Sequence, residues 1–489
     1  MTNLRLRNRV LLGALASAFI GLSSFSGVVL AGGTAFDAVN ISGMGSAGAG
    51  QAAEASDASV IFYNPAALTR FKQAELTQGA VFTTIQTSYK SLQNNDGAPT
   101  NSGTQGSQGQ VFDRNPNGYD ASALAPHTFV AIPLSPKTVM GFSASASEAL
   151  LLHYDSQFPG RNQGKDIDLK VTRLNLGVGH KLTPTLSIGV NGSYERYFQN
   201  AKVALNYREA VRSLAGNAGV TALDTGAALG QTPPIPQETT AIIRLFGYAF
   251  NAQLGALWEP SDRTRVGVSY RPKTKFNGNE GTFTINEQAD GAAFRQFLTT
   301  PTAATLLPTA PTSAADLNPY QRANQNITLN DELRLSIFHH TTPKLDLMAT
   351  YTREDFRDAT LKYTRDNGRT IEDIPQNFQV TQSYRIGANY KMYRRLILRA
   401  GYAYETSAID DATRITILPD NNRRYYAFGG TYLVDPNTDL HFAFQRFQID
   451  PGVVGLNQSA SPPEVRGGQF YGIANTYINF FGLGLTQRF

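Results

Sequence analysis

The sequence predicts an all-β membrane protein, a fourteen-stranded antiparallel transmembrane β-barrel, preceded by an N-terminal segment of small residues suited to packing inside it. Three observations carry this reading: apolar residues recur with period two, long and short connections alternate along the chain, and the last strand ends on an aromatic residue. Composition agrees. The 489 residues are 41% hydrophobic and 17% charged, with a mean hydropathy of −0.26. That average is too polar for a bundle of membrane helices, and 10% aromatics is too rich for disorder. Tyr and Phe number 22 and 28 against one Trp, with 44 Gly. Such a chain suits strands whose aromatic side chains face something apolar. The absence of Cys excludes disulfide scaffolds, Cys-ligated zinc and thiol catalysis.

The first thirty residues read as an address. Arg5, Arg7 and Arg9 form a positive n-region, an apolar run follows from Val10 to Ile20, and Val28-Val29-Leu30-Ala31 supplies small residues for cleavage. A signal peptide is therefore expected over 1–31. Val10–Ala31 is also long enough for a membrane anchor, but Gly13, Gly21, Ser23, Ser24, Ser26 and Gly27 weaken that reading. Removing the three arginines from 43 basic residues leaves 40 against 38 acidic ones. The pI of 9.1 therefore gives no ground for a nucleic-acid partner.

From Phe71 onward the alternation dominates. Thr172, Leu174, Leu176 and Val178 alternate with Arg173, Asn175, Gly177 and Gly179. Ile188 and Val190 alternate with Ser187, Gly189 and Asn191, and Val266, Val268 and Tyr270 with Arg265, Gly267 and Ser269. Tyr384, Ile386 and Tyr390 alternate with Arg385, Gly387 and Asn389 in the same way. Fourteen such segments are expected, near 73–88, 125–133, 138–147, 169–181, 186–198, 242–258, 264–276, 330–340, 345–355, 382–392, 395–405, 424–434, 438–447 and 476–489. Tight turns such as Pro133–Lys137, Leu182–Thr185 and Val434–Asn437 alternate with long connections at 89–124, 148–168, 199–241, 277–329, 356–381, 406–423 and 448–475. An even-stranded up-and-down barrel produces this order, with short turns on the periplasmic side and long loops outside. Phe481, Leu483, Leu485 and the terminal Phe489 share one face of the last strand, which resembles the signal read by the outer-membrane barrel assembly machinery. Gln487 departs from it, because an apolar residue is more usual there.

The segment 32–72 precedes the barrel (73–489) and does not alternate. It reads Gly43-Met44-Gly45-Ser46-Ala47-Gly48-Ala49-Gly50, then Asp57-Ala58-Ser59 and Phe62-Tyr63-Asn64-Pro65-Ala66. Gly43, Gly45 and Gly48 satisfy G-x-G-x-x-G. With no strand before them and no βαβ unit around them, a dinucleotide site is rejected. Small residues instead suit close packing inside another structure.

These residues closely resemble the N-terminal hatch of the FadL/TodX family of outer-membrane transporters. Val266-Gly267-Val268-Ser269-Tyr270-Arg271-Pro272, Tyr384 through Tyr390, Arg399 through Tyr404, and Leu418-Pro419-Asp420 followed by Tyr425 through Tyr432 resemble successive strands of that family. The resemblance covers the chain after residue 31, with 199–241 and 277–329 poorly anchored. It implies a monomeric barrel in which Asn64, Pro65 and Ala66 belong to the hatch motif. It also implies that hydrophobic molecules bind at outer loops and leave sideways beside a kinked third strand. The third strand here reads Gly141-Phe142-Ser143-Ala144-Ser145-Ala146-Ser147, so Gly141, Ser143 and Ser145 mark the expected gap. An ordinary strand with small residues packed on the hatch would read the same way.

Apolar side chains in the predicted outer loops suit capture of a hydrophobic ligand, or burial of the loops against each other as a cap on the barrel, and both roles can coexist. Phe294, Phe297 and Leu298 fall on one face of a helical turn, with Leu306 and Leu307 following, and Val211, Leu214, Val220 and Leu223 lie in another loop. Arg173, Arg265, Arg271, Arg334, Arg385, Arg399, Glu195 and Glu405 project to the polar face, where lumen ion pairs are expected. No catalytic residue, metal set or cofactor is expected. His339 and His340 are adjacent on a strand and point to opposite faces, and neither G-x-S-x-G nor H-E-x-x-H occurs. The expected partners are a long-chain fatty acid or other hydrophobic small molecule, outer-membrane lipid, and the assembly machinery during biogenesis. Aromatic-hydrocarbon uptake and, behind it, a general porin are the alternatives. A general porin has no reason to carry a hatch of small residues.

Overall fold

The computed structural model describes residues 39–91, 111–113, 121–154, 165–205, 239–286, 289–302, 318–359, 361–365, 370–374, 377–416, 418–454 and 472–489. The expected signal peptide and the termini of the outer loops, including 206–238, lie outside these residues. One antiparallel sheet makes fourteen passes and closes on itself. The first six strands are β1 (Glu75–Ser91), β2 (Ala121–Pro133), β3 (Thr138–His153), β4 (Asp166–Lys181), β5 (Leu186–Leu205) and β6 (Thr239–Ser261). The next four are each broken into two segments. They are β7 (Thr264–Arg271, Lys275–Asn286), β8 (Tyr320–Thr328, Asp331–Thr342), β9 (Leu345–Asp355, Leu361–Arg365) and β10 (Thr370–Ile374, Val380–Tyr393). Four more complete the ring: β11 (Leu396–Glu405), β12 (Arg423–Asp435), β13 (Thr438–Ile449) and β14 (Gly472–Arg488). Closure joins β1 to β14 from Glu75 opposite Arg488 to Ser91 opposite Gly472. Every polar backbone group along that seam thereby gains a partner, which a hydrocarbon environment demands.

The outward face is apolar over the lower part of each strand: Ile188, Val190, Leu254, Trp258, Ile386 and Leu483 are all exposed. Toward the outer ends the phase inverts. On β4, Leu174 and Leu176 point outward, whereas Val171, Leu169 and Ile167 are buried inside and Asp168 and Lys170 take the outer face. The same switch occurs on β6, between outward Phe246 and Tyr248 and inward Leu245, Ile243 and Ala241. This inversion explains a correction. Strand structure continues through Leu150–His153, Gln199–Leu205, 277–286, 320–328, 361–365 and 370–374, which the sequence reading assigned to loops. Above the bilayer the outer face meets water and the inner face becomes apolar, so a search for apolar-out alternation stops too early.

Residues 39–72 lie inside the ring. Helix α1 (Ile41–Met44), helix α2 (Val60–Tyr63) and a 3-10 helix (Pro65–Arg70) are joined by tight turns, and Gly48 (φ +77°) and Gly50 (φ +79°) adopt the left-handed conformation that favours glycine. The fit to the wall is set by inward glycines. A Cβ on Gly267 would lie 1.9 Å from the Ala52 carbonyl oxygen, on Gly401 2.2 Å from that of Ser46, on Gly189 2.2 Å from the Ala66 nitrogen, and on Gly255 2.0 Å from Asn64 Oδ1. These are backbone-to-backbone approaches for the most part, so no side-chain movement can relieve them.

Gly401→Val and Gly267→Val should therefore dislodge the inner segment while the strands still pair. The expected outcome is a barrel that keeps its heat-resistant mobility in detergent gels but sensitises cells to vancomycin at least fourfold. Gly192→Val, whose Cβ meets nothing within 4 Å, should leave sensitivity unchanged. Unchanged sensitivity in the first two variants would show that the inner segment does not occlude the bore.

Candidate functional site

Three regions compose the site: the plug-like inner segment, an interrupted wall seam, and an apolar interior above the plug. Asn64 organises the first. Its Nδ2 donates to the Ala52 carbonyl (2.7 Å) and to the Ala256 carbonyl on β6 (3.0 Å), while its Oδ1 accepts from the Ala66 amide (3.0 Å). The residue caps the 3-10 helix, with Pro65 at its first position, and ties that helix to both plug and wall. The wall reciprocates with inward polar groups. Asn191 Nδ2 donates to the Ile61 carbonyl (2.9 Å), Gln253 Nε2 to the Tyr63 carbonyl (3.0 Å), and Thr350 Oγ1 accepts from the Gly50 amide (2.8 Å). Ser336 Oγ accepts from the Ala52 amide at 3.2 Å.

The lumen arginines expected from sequence are all buried. Arg173 pairs with Glu195 (2.9 Å) and lies over the Phe62 ring, and Arg334 bonds Gln51 (2.8 Å) and lies over Tyr63. Arg385 and Arg423 share Glu405. Arg265 stacks on Phe338 at 3.9 Å, and Arg399 Nη1 bonds Thr431 on β12. Two plug carboxylates respond oppositely to this setting. Burial pushes the Glu54 carboxyl up against the pull of Arg399 and the Asn389 hydrogen bond. Burial would raise Asp57 too, but His441 and donors from Ser42 and Ser59 hold it below the usual range. His339 and His340 have separate partners, Thr264 and Asp346, on different neighbouring strands.

The seam lies between β2 and β3. Their ladder runs only from Pro133 opposite Val139 to Thr128 opposite Ala144. Beyond it β2 stays paired with β1 as far as Ala121, and β3 stays paired with β4 as far as His153. The two strands thus part company on facing edges. Pro126, two residues past the last pair, has no N–H to extend a ladder. The β3–β4 register slips between Ala146 and Glu148, a bulge five residues or more beyond Gly141. Gly141 itself serves space: a Cβ there would meet Ile61 and Leu68 of the plug at 2.7 and 2.9 Å. Ser143 accepts from Asn175 (2.8 Å), and Ser145 Oγ is buried without a hydrogen-bond partner. Both faces are covered at Ser143–Ser147, so the interruption is a closed seam here.

Above the plug the interior is a continuous apolar cluster. It includes Ile85 and Tyr89 of β1, Leu152 of β3, Ile167, Leu169 and Val171 of β4, and Tyr197, Ile243, Leu245, Phe276 and Phe283 further round. Tyr425 and Phe447 stack at 3.8 Å, with Phe480 4.6 Å from Phe447. Sequence reasoning missed this lining, although its inverted alternation was the available signal. Phe294, Phe297 and Leu298 lie in helix α3 (Ala289–Leu298) and are buried, 1%, 7% and 9% exposed, so they form no open groove in this structure. Leu306, Leu307, Val211, Leu214, Val220 and Leu223 lie outside the described residues.

Comparison with known proteins follows from this architecture. The family described as outer membrane protein transport protein (OMPP1/FadL/TodX) matches residues 22–489. Outer membrane protein P1 of Haemophilus influenzae is 27% identical over 83% of this chain and 84% of its own length. The long-chain fatty acid transport protein of Escherichia coli is 24% identical over 83% of this chain and 86% of its own. Among solved structures, a Pseudomonas aeruginosa FadL homologue superposes with a TM-score of 0.77 at 20% identity, covering 93% of this chain and 99% of that one. The Pseudomonas putida toluene transporter TodX superposes with a TM-score of 0.61 at 16% identity, covering 88% and 94%.

Asn64→Ala strips donors from two carbonyls, at about 1–3 kcal/mol for each one left unsatisfied, and removes a cap worth about 1 kcal/mol. The expected outcome is tryptic cleavage after Arg70 at least tenfold faster than in the parent, with the barrel still heat-resistant. Asn64→Asp keeps the capping oxygen but loses both donated bonds, and should fall between. Equal cleavage rates in all three would contradict the anchoring role.

Proposed function

The chain belongs to the OMPP1/FadL/TodX family of outer-membrane transport proteins, and from that premise we propose that it takes up long-chain fatty acids by passive, lateral transport. The observation that carries the reading is the inverted interior: apolar above the plug, polar where the plug fills the bore. An apolar solute gains roughly 25 cal/mol per Å² of apolar surface removed from water, so it partitions into that upper lining from outside. Below it the plug is packed into the wall, and the hydrogen bonds and ion pairs that hold it there are ones an acyl chain cannot replace. The route that keeps the solute out of water is the β2–β3 seam, where Ser143 and Ser145 face inward and the ladder is interrupted. At roughly 2.5 Å of height per tilted residue, the last pair sits about 12 Å above the periplasmic turn, so the seam begins near the middle of the bilayer. The inner segment acts as the hatch, and the barrel works as a monomer.

A second reading, uptake of aromatic hydrocarbons, is favoured by the ring cluster Tyr425, Phe447 and Phe480. Nearby Arg423 is already engaged by Glu405 and Asp420 and would have to exchange partners to receive a carboxylate. Equilibrium binding of oleate and toluene to the purified protein separates the two. Fatty-acid uptake predicts oleate binding that methyl esterification weakens at least tenfold, whereas tighter toluene binding with no such dependence would favour the hydrocarbon.

For the route itself, Ser143→Trp and Ser145→Trp should lower uptake at least tenfold with ligand binding nearly intact. Ala144→Trp and Ala146→Trp, on the other face of β3, are the comparison and should have smaller effects. Parental uptake in all four folded variants would eliminate the seam as the exit.

A further inference from the structure

The outer surface of β4–β6 carries a set of cations that the transport reading does not use. Arg196 and Arg244 are exposed on the lipid-side face and have no hydrogen-bond or ion-pair partner among the described residues. Lys170 stands between them in register: it lies opposite Phe198, which lies opposite Phe246, while Arg196 is opposite Thr172 and Arg244 opposite Asn200. Lys170 Nζ is 2.9 Å from Asp168 and 5.6 Å from the Phe198 ring centre, so its charge is only partly spent.

Their height identifies the medium they meet. On β5 the exposed apolar face runs from the turn residue before Ile188 through Val190 to Tyr194, and Arg196 follows ten positions after Leu186. At about 3.3 Å per residue and a tilt near 40°, ten residues span roughly 25 Å, the height of a barrel's apolar band. The cations are interleaved with an aromatic girdle: Tyr194 and Phe250, 5.4 Å apart, lie one outward position below Arg196, Tyr248 stands opposite Arg196 and stacks 6.2 Å from Tyr194, and Phe198 and Phe246, 5.2 Å apart, stand level with Lys170. Rings of this kind mark the bilayer interface. Arg196, Lys170 and Arg244 therefore rise through the headgroup layer of the outer leaflet, on the side away from the periplasmic turns.

We propose that this face of β4–β6 is a docking surface for the phosphorylated disaccharide headgroup of the outer-leaflet glycolipid, lipid A. Two guanidiniums and an ammonium set at different heights fit a headgroup that carries two separated phosphates. Guanidinium binds phosphate through parallel hydrogen bonds, and desolvation at the membrane surface strengthens them. The exposed Val190, Phe250 and Leu254 below offer a surface for the acyl chains. The proposal rests on the outer-membrane location and does not depend on what the barrel transports.

The test compares lipid A retained by the full-length protein after purification in mild detergent, measured by mass spectrometry of the extracted lipid. The parent should retain it through a long detergent wash, and the double variant Arg196→Glu/Arg244→Glu should retain at least tenfold less. The Gln pair provides a second variant should the charge reversal impair assembly, with heat-resistant mobility as the folding control. Arg446→Glu, an outward cation on β13 that lies over Tyr477, should behave as the parent. Refolded parent protein should also rebind lipid A at least tenfold better than dephosphorylated lipid A. Equal retention in parent and double variant, equal loss in the Arg446 control, or equal rebinding of dephosphorylated lipid would each overturn the assignment.

Discussion

The rest of the structure depends on the backbone contact between the inner segment and the barrel wall. Fourteen strands enclose a bore that side chains alone do not fill, and the chain fills it with its own N-terminal residues at van der Waals distance or closer. That fit requires inward positions without side chains at Gly189, Gly255, Gly267 and Gly401. It also requires wall donors and acceptors for plug backbone groups that have left water, and Asn191, Gln253, Ser336 and Thr350 supply them. An unsatisfied buried backbone group costs about as much as a lost hydrogen bond, so these polar residues are needed where an ordinary core would be apolar.

Filling the bore this way divides the interior into two environments. Around the plug the wall is polar, with arginines paired to Glu195 and Glu405 or laid over Phe62 and Tyr63. Above the plug the inner face turns apolar from Val171 to Ile167 on β4 and from Leu245 to Ala241 on β6. It keeps buried polar groups that are matched to one another, Tyr197 with Gln199 and Gln325, Tyr89 and Tyr154 with the Thr416 carbonyl, and Tyr425 with Glu405. The β2–β3 seam adjoins both environments, because its ladder ends at Thr128 and Ala144 while Gly141 still packs on Ile61 and Leu68. The upper lining thus adjoins a wall whose hydrogen bonding is already interrupted, beside a floor whose backbone is tied to the wall through Asn191, Gln253, Ser336 and Thr350.

The strand count, the turns and the outward face were legible because the bilayer imposes a simple alternation, and Leu174, Leu176, Ile188 and Val190 follow it. The plug was legible as a break in that alternation, and the importance of Asn64-Pro65-Ala66 came from resemblance. What the alternation concealed was its own reversal. Ile167, Leu169 and Val171 are as periodic as Leu174 and Leu176 but occupy the opposite phase, so the outer strand ends passed for loops. The slip in the β3–β4 register, between Ala146 and Glu148, was not legible. A bulge is a property of pairing between two strands and leaves no fixed mark in either. Phe294, Phe297 and Leu298 were correctly grouped on one helical face, but their burial depends on tertiary contacts that spacing does not encode.

The central claim is that the plug seals the axis and leaves only an apolar route, and ion conductance across a planar bilayer tests it most directly. With the purified protein inserted, the account predicts no steady ohmic current above the lipid background at moderate voltage, because no continuous water path joins the two sides. Stable open-channel steps of the size that water-filled porins give would contradict it, since such a current needs the axial passage that the plug is claimed to close.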